Sequence, residues 1–194
     1  MPLLQVAKLA VIASFVAFMS LFVINAWKLR RQRGTEPTPD SSMKTAPIAK
    51  LGIFLQAIGF FFSSLPRPQS ESPHDVLLIT AVVLAPAAVF RSYLAVNHLG
   101  KQWRIKAAVT DRHQLITSGP YRFQRHPIYA SMFGLLLSNA FVNAGWISTL
   151  AAIVIFIVGI EIRIHAEEGL LRAKFGDEFE AYRRRVRAYI PFVR

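Results

Sequence analysis

Apolar and polar positions along this chain do not alternate or recur at short period; they segregate into long blocks. A helix that spans a bilayer needs about 20 mostly apolar residues. Residues 3–27 form a first block of that kind, with Lys8 near one end and Trp27 suited to an interface. Lys28, Arg30, Arg31 and Arg33 follow, and then a polar stretch with Pro37 and Pro39 that reads as a loop. The second block, residues 48–65, is closed by Pro66, Pro68 and Pro73. The third, residues 76–96, contains Pro86, which a membrane helix tolerates when neighbours satisfy the freed carbonyl, and Arg91, which can snorkel to the nearer surface. A polar, basic connection over residues 97–125 carries Lys101, Arg104, Lys106, Arg112, Arg122 and Arg125. Residues 128–142 are a short fourth block, Asn143, Ala144 and Gly145 a tight turn, and residues 146–160 a fifth block that runs on into a charged helical end over residues 161–168. Beyond it Phe175, Phe179, Tyr182, Val186 and Tyr189 recur at helical spacing, with Arg183, Arg184, Arg185 and Arg187 between them and Pro191 near the end. That pattern predicts an amphipathic helix lying on the membrane surface.

The expected fold is an all-α integral membrane protein: five transmembrane helices with a C-terminal amphipathic interfacial helix. Two parts are expected, residues 1–96 with three helices and residues 97–194 with the cytoplasmic connection, a two-helix hairpin and the tail. Basic residues mark the connections after the first, third and fifth blocks and are nearly missing from the other two. Five spans bring all three basic segments to one side, which the positive-inside rule makes cytoplasmic, with the N-terminus outside. The first block is long enough to span and shows no small-residue cleavage site, so it reads as a retained helix.

Composition agrees: the 194 residues are 53% hydrophobic, with a mean hydropathy of +0.36. The net charge of +12, from 23 basic and 11 acidic residues, first suggests nucleic acid. The basic residues sit just outside apolar blocks, however, so anionic lipid headgroups are the expected partners, at roughly 1 kcal/mol per residue, and no nucleic acid is. The chain has no cysteine, which excludes disulfides, thiolate metal sites and cysteine nucleophiles.

Three groups of residues on the expected cytoplasmic side carry chemistry. The first runs from Asp111 to Tyr121, the second is Arg125, His126, Pro127, Ile128 and Tyr129, and the third is Glu161, Arg163, His165, Glu167 and Glu168. Each has a plain structural reading. Ser118 to Tyr121 fits a turn, Arg125 and His126 fit a basic flank, Pro127 fits a first helical turn, and Tyr121 and Tyr129 fit interface aromatics. The third group is harder to set aside, because ionisable residues near membrane depth are costly. At about 3.6 residues per turn, Glu161, His165 and Glu168 share one stripe, and Arg163 and Glu167 share another, where an i,i+4 ion pair is the plain reading.

Together these runs resemble one family. Leu115-Ile116-Thr117-Ser118-Gly119-Pro120-Tyr121, then Arg125-His126-Pro127-Ile128-Tyr129, then Arg163, Glu167-Glu168, Phe175-Gly176, Tyr182, Arg185-Val186 and Ile190-Pro191 are similar in order and spacing to the isoprenylcysteine carboxyl methyltransferases, over roughly residues 97–192. The family includes short five-span microbial members, which points to a bacterial inner membrane. The resemblance implies S-adenosyl-L-methionine as cofactor, held by His113, Gln114, Leu115, Ile116, Tyr121, His126, Pro127, Ile128, Tyr129 and Glu167. It implies catalytic roles for Arg163, facing a lipophilic or prenylated acceptor, and for Glu167, and so selects the second stripe of the fifth helix. His165 and Ala166 replace a richer acidic run of the eukaryotic members, which leaves the acceptor open: a carboxyl, an amine or a thiol. The first two helices match no motif of the family.

The residue types suit such a cofactor. Tyr121 and Tyr129 can pack on an adenine or near a sulfonium, Glu167 can accept from a ribose hydroxyl or an ammonium, and backbone N–H groups near Gly119 or the start of the fourth helix can hold a carboxylate. No G-x-G-x-x-G run, phosphate loop or H-E-x-x-H site is present, so a Rossmann-type enzyme is excluded and no metal is expected. Two other functions stay open on sequence: a membrane reductase whose Arg104, Lys106 and Arg112 meet a nicotinamide 2′-phosphate, and a non-catalytic lipid-binding protein.

Overall fold

A computed structural model describes residues 2–33, 44–100, 108–109 and 114–189. His113, Asp111 and Arg112 lie outside the described residues, as do Lys101, Arg104, Lys106, Ile190 and Pro191. Among the described residues the fold is helical apart from one short strand pair. It comprises α1 (Pro2–Arg33), α2 (Ala49–Ser63), α3 (Asp75–Leu99), α4 (Pro127–Asn143), α5 (Trp146–Phe175) and α6 (Asp177–Arg185). The strands β1 (Lys44–Thr45) and β2 (Ala108–Val109) pair antiparallel. The apolar blocks thus become helices, each within a few residues of its expected ends except α1, which continues to Arg33, and α5. That helix runs through its charged end to Phe175 and stops at Gly176, whose φ of +49° few other residues adopt. Pro86 leaves α3 continuous.

The helices alternate in direction. At one end, β1 and β2 join the connection after α1 to the connection after α3, Leu29 of α1 and Val96 of α3 form a buried layer with Ile128 of α4, and Ala49 of α2 meets Ala166 of α5. At the other end, Arg67 donates to the Phe141 carbonyl at 2.8 Å, the Trp146 N–H donates to Glu71 at 3.0 Å, and Asn139 donates to Ser63 and Ser64. The basic connections therefore share one end, as their spacing predicts.

Two cores hold the bundle. Ala7, Val11 and Phe18 of α1 pack on Leu78, Ala81, Ala85 and Ala88 of α3, with Leu135 and Val142 of α4 alongside. Tyr129 and Leu136 of α4 pack on Ala152, Phe156, Ile160 and Ile164 of α5. Between α2 and α5 the backbones nearly touch. A Cβ at Gly52 would lie 2.6 Å from the Gly159 carbonyl oxygen and 2.5 Å from Arg163 Cγ, and one at Gly159 would lie 2.8 Å from the Gly52 oxygen. Small residues permit such approach where apolar surroundings give no hydrophobic drive between helices.

The outer surface is apolar. Leu9, Val16, Phe54, Phe61, Val83, Phe90, Leu150 and Val154 are all exposed, far beyond the scattered apolar residues of a water-facing surface. Three helices, Pro2–Arg31, Asp75–Leu99 and Trp146–Phe175, are long and apolar enough to cross a membrane. α2 and α4, of 15 and 17 residues, are about 23 and 26 Å long at 1.5 Å per residue.

The tail departs from expectation. Phe179 and Tyr182 are buried on α6, but the helix ends at Arg185, and Val186 turns extended. Residues 187 and 188 run parallel to residues 124–126 instead: the Arg125 N–H donates to the Arg187 carbonyl and the His126 N–H to the Ala188 carbonyl, each at 2.8 Å. The apolar period of the tail persists, but backbone pairing with a distant segment overrides it after Arg185.

Candidate functional site

The Ser118–Tyr121 run folds as a 3₁₀ turn over Gly119–Arg122. Gly119 has φ +58°, and a Cβ there would lie 2.7 Å from the His98 ring, so glycine serves both the left-handed backbone and the close approach. His98 also bonds Ser118 Oγ at 2.8 Å and stacks on Tyr121. Tyr121 is buried; its hydroxyl donates to the Ala95 carbonyl at 3.4 Å, and its carbonyl accepts from the Tyr182 hydroxyl at 2.6 Å. α6 thereby clamps the turn from outside.

Burial pushes the Tyr182 hydroxyl well above the ordinary tyrosine value; Arg125 pulls it partly back and Glu168 adds to the rise. A raised folded-state value means that the neutral hydroxyl's contribution is intact below about pH 10, where an unfolded tyrosine ionises, and is lost as pH climbs beyond it. Tyr182→Phe is expected to cost about 1 kcal/mol of unfolding free energy. The gap between wild type and variant should stay constant from about pH 6 to 9 and shrink above about pH 10, read as thermal midpoints in detergent.

Two residues after the turn, Arg125 and His126 enter α4, with Pro127 buried at its first turn. Two side chains of α5 meet them. Glu168 accepts from Arg125 Nε and Nη2, both at 2.8 Å, and lies 3.1 Å from His126 Nε2. Glu167 Oε2 lies 3.7 Å from His126 Nδ1, while its Oε1 accepts from the Tyr129 hydroxyl and, at 3.4 Å, from Arg163 Nη2. The two carboxylates flank the imidazole: Glu168 is within hydrogen-bond reach of Nε2, and Glu167 stands beyond that reach from Nδ1. Arg163 lies over the Tyr129 ring at 4.9 Å, and Tyr129 stacks with His126. Arg125 also reaches the carbonyls of Arg183, at 3.2 Å, and Val186, tying α6 to the group.

The expected site residues fare differently. Tyr121, His126, Pro127, Tyr129, Arg163 and Glu167 gather at one end of the bundle. Ile128 packs on the Leu29–Val96 layer, Gln114 is exposed, and Leu115 and Ile116 are half-buried in an irregular segment. The N–H groups of Arg125 and His126 are spent on the tail, so they hold no ligand carboxylate. The two-stripe division of α5 needs correction. Glu168 does not follow Glu161 and His165: Glu161 accepts from Tyr189 at 2.7 Å, His165 is exposed, and Glu168 joins Glu167 at His126. Adjacent helical positions differ by only about 100°, so two long carboxylates can converge on one ring.

Two contributors escaped the motif reading. Glu168 stands inside the family-like Glu-Glu pair, where the resemblance implies no role for it, and its partner Arg125 reads in sequence as a basic flank. Gln56 on α2, 3% exposed, accepts from Arg163 Nη1 at 3.3 Å. Its only sequence signal is a polar residue within an apolar block.

Known proteins resemble the chain in sequence and in fold. The sequence model of the isoprenylcysteine carboxyl methyltransferase (ICMT) family matches residues 77–173, half of the chain. A probable protein-S-isoprenylcysteine O-methyltransferase of Oryza sativa subsp. indica is 30% identical over 118 residues, 61% of this chain and 59% of that protein. The protein-S-isoprenylcysteine O-methyltransferase of Schizosaccharomyces pombe is 35% identical over 81 residues, 42% of this chain and 34% of that one. An uncharacterized protein of Bacillus subtilis, YpbQ, is 29% identical over 122 residues, 62% and 72% of the two chains. The match thus spans about three-fifths of the rice relative's length. In three dimensions the chain is similar to the eukaryotic intramembrane Ras methyltransferase ICMT, with a TM-score of 0.52 at 18% identity over 95% of this chain and 68% of that one. That likeness bears on the fold.

Proposed function

The chain belongs to the isoprenylcysteine carboxyl methyltransferase family, and from that premise we propose that it is a membrane methyltransferase, carrying a methyl group from S-adenosyl-L-methionine to the carboxylate of a lipophilic, isoprenylcysteine-like acceptor. The observation that carries this is the convergence of His126, Tyr129, Arg163 and Glu167 from two helices at one end of the bundle.

The residues suit the cofactor. Tyr121, His126 and Tyr129 offer buried aromatic faces, and the Glu167 side chain, 24% exposed, keeps lone pairs beyond those its partners use. S-adenosyl-L-methionine supplies an electrophilic methyl on a sulfonium. Glu167 takes its hydroxyl or ammonium donors, His126 and Tyr129 line its apolar body, and His113, Gln114, Leu115, Ile116 and Ile128 complete the expected contacts. Arg163 holds the acceptor carboxylate in line. That carboxylate is ionised at neutral pH, so with the sulfonium donor bound it would accept the methyl group by direct displacement, the carbon–sulfur electron pair remaining on sulfur, and no residue of this chain would need to take a proton. Few waters and fixed positions lower the barrier by several kcal/mol, to judge from intramolecular reactions.

In this reading all five long helices cross the bilayer, α2 and α4 near the lower length limit. Residues 97–194 form the catalytic half, and α6 lies at the interface with its arginines toward anionic lipids. The N-terminus is outside and the site cytoplasmic, at the inner membrane of a bacterium; the shared end of the basic connections supports this orientation.

Calorimetry of detergent-purified protein tests the proposal. Binding of S-adenosyl-L-methionine or S-adenosylhomocysteine at micromolar concentrations is expected; no binding of either at millimolar concentration would end it.

A further inference from the structure

The junction of α2 with α5 holds an amide only half used. Arg163 Nη1 donates to Gln56 Oε1 at 3.3 Å. Arginine has no acceptor, so the amide must turn its oxygen toward Arg163 and its NH₂ away. That nitrogen, Gln56 Nε2, is buried without a hydrogen-bond partner, a costly state for a donor in apolar surroundings. Asn25 Nδ2, Ser92 Oγ and Gln124 Oε1 are also buried without partners, but Gln56 differs from them in being bonded to Arg163.

The groups form a row: the Tyr129 hydroxyl, Glu167, Arg163, Gln56. Glu167 covers one edge of the guanidinium and the Gln56 oxygen another, so the Gln56 NH₂ extends the donor surface of Arg163 away from Glu167. Gly52, one turn earlier on α2, makes this possible, since a Cβ there would lie 2.5 Å from Arg163 Cγ. On the flanks of the same helix Leu51, Ile53 and Phe54 are exposed and can take an apolar tail.

We infer that Gln56 is the second donor to the acceptor's carboxylate, beside Arg163, and so a positioning residue for methyl transfer; this rests on the methyltransferase reading above. Two sets of N–H donors grip an anionic oxygen, and the Gln56 side of Arg163, turned away from Glu167, favours a carboxylate over its uncharged ester.

The test uses the full chain in detergent, saturated with S-adenosylhomocysteine. Two probes are titrated: N-acetyl-S-farnesylcysteine and its methyl ester, which lacks the charge. Wild type should bind the acid at least about tenfold more tightly than the ester. Gln56→Leu should abolish most of that preference and, in separate turnover assays with S-adenosyl-L-methionine and no added S-adenosylhomocysteine, raise the KM for the acid about tenfold, with kcat and the S-adenosylhomocysteine Kd within about twofold of wild type. Gln56→Met keeps the side-chain length without polar atoms and repeats the measurement should the leucine variant fold poorly. An unchanged acid-to-ester ratio in the folded variants overturns the assignment while leaving methyl transfer standing. Equal loss of S-adenosylhomocysteine and acid binding overturns it in favour of a purely structural glutamine. Failure of wild type to bind S-adenosylhomocysteine removes the methyltransferase reading, and the assignment with it.

Discussion

Replacing Glu168 by alanine is expected to destabilise the protein by about 3–5 kcal/mol, the usual cost of breaking a buried ion pair by removing one partner. The Arg125 side chain is 9% exposed and that of Glu168 11%, so water cannot replace the lost carboxylate. His126 Nε2 loses its acceptor at the same time. Because the same arginine reaches the Arg183 and Val186 carbonyls, the tail should loosen together with the start of α4. Thermal or denaturant unfolding in detergent measures the loss. Arg125→Ala with Glu168→Ala should cost clearly less than the two single changes added, since the double variant strands no charge. Additive losses would show that the pair contributes no coupling.

Arg163→Ala should reduce kcat/KM for N-acetyl-S-farnesylcysteine by about 10²–10³-fold, the scale on which loss of a positioning charge acts, while the Kd of S-adenosylhomocysteine changes by only a few fold. Arg163→Lys should recover little, because a lysine cannot hold Glu167, Gln56 and a carboxylate on separate edges of one planar group. Methyl transfer is read with a labelled donor, and affinity by calorimetry. A variant that turns over the acceptor normally would remove Arg163 from the reaction.

Much of this fold is legible in the chain because segregation into apolar blocks is a strong signal and each block becomes one helix. The clustering of basic connections at one end is legible for the same reason. What periodicity cannot supply is rotation. The faces that α2 and α5 turn to each other depend on where Gly52, Gly59 and Gly159 permit contact, and the expected stripes of α5 carried no such information. Glu168 was therefore grouped with Glu161 and His165, although it reaches His126. Tertiary pairing also stayed hidden: nothing local shows that Arg187 and Ala188 leave the helical pattern to pair with Arg125 and His126. Gln56 was unreadable for a different reason, since its partner lies 107 positions away and neither residue marks the other in sequence.

The pairing of Arg125 and His126 with Arg187 and Ala188 also sets an order of biosynthesis. By the time the ribosome has made α4 through Asn143, the backbone partners that fix its first residues are still about 45 codons from being translated, on the order of 2–9 s at ordinary elongation rates. The three helices long and apolar enough to cross a membrane are all made before those partners exist. Fastening of the start of α4 is thus among the last events of maturation, and a nascent chain arrested just short of residue 187 would lack it.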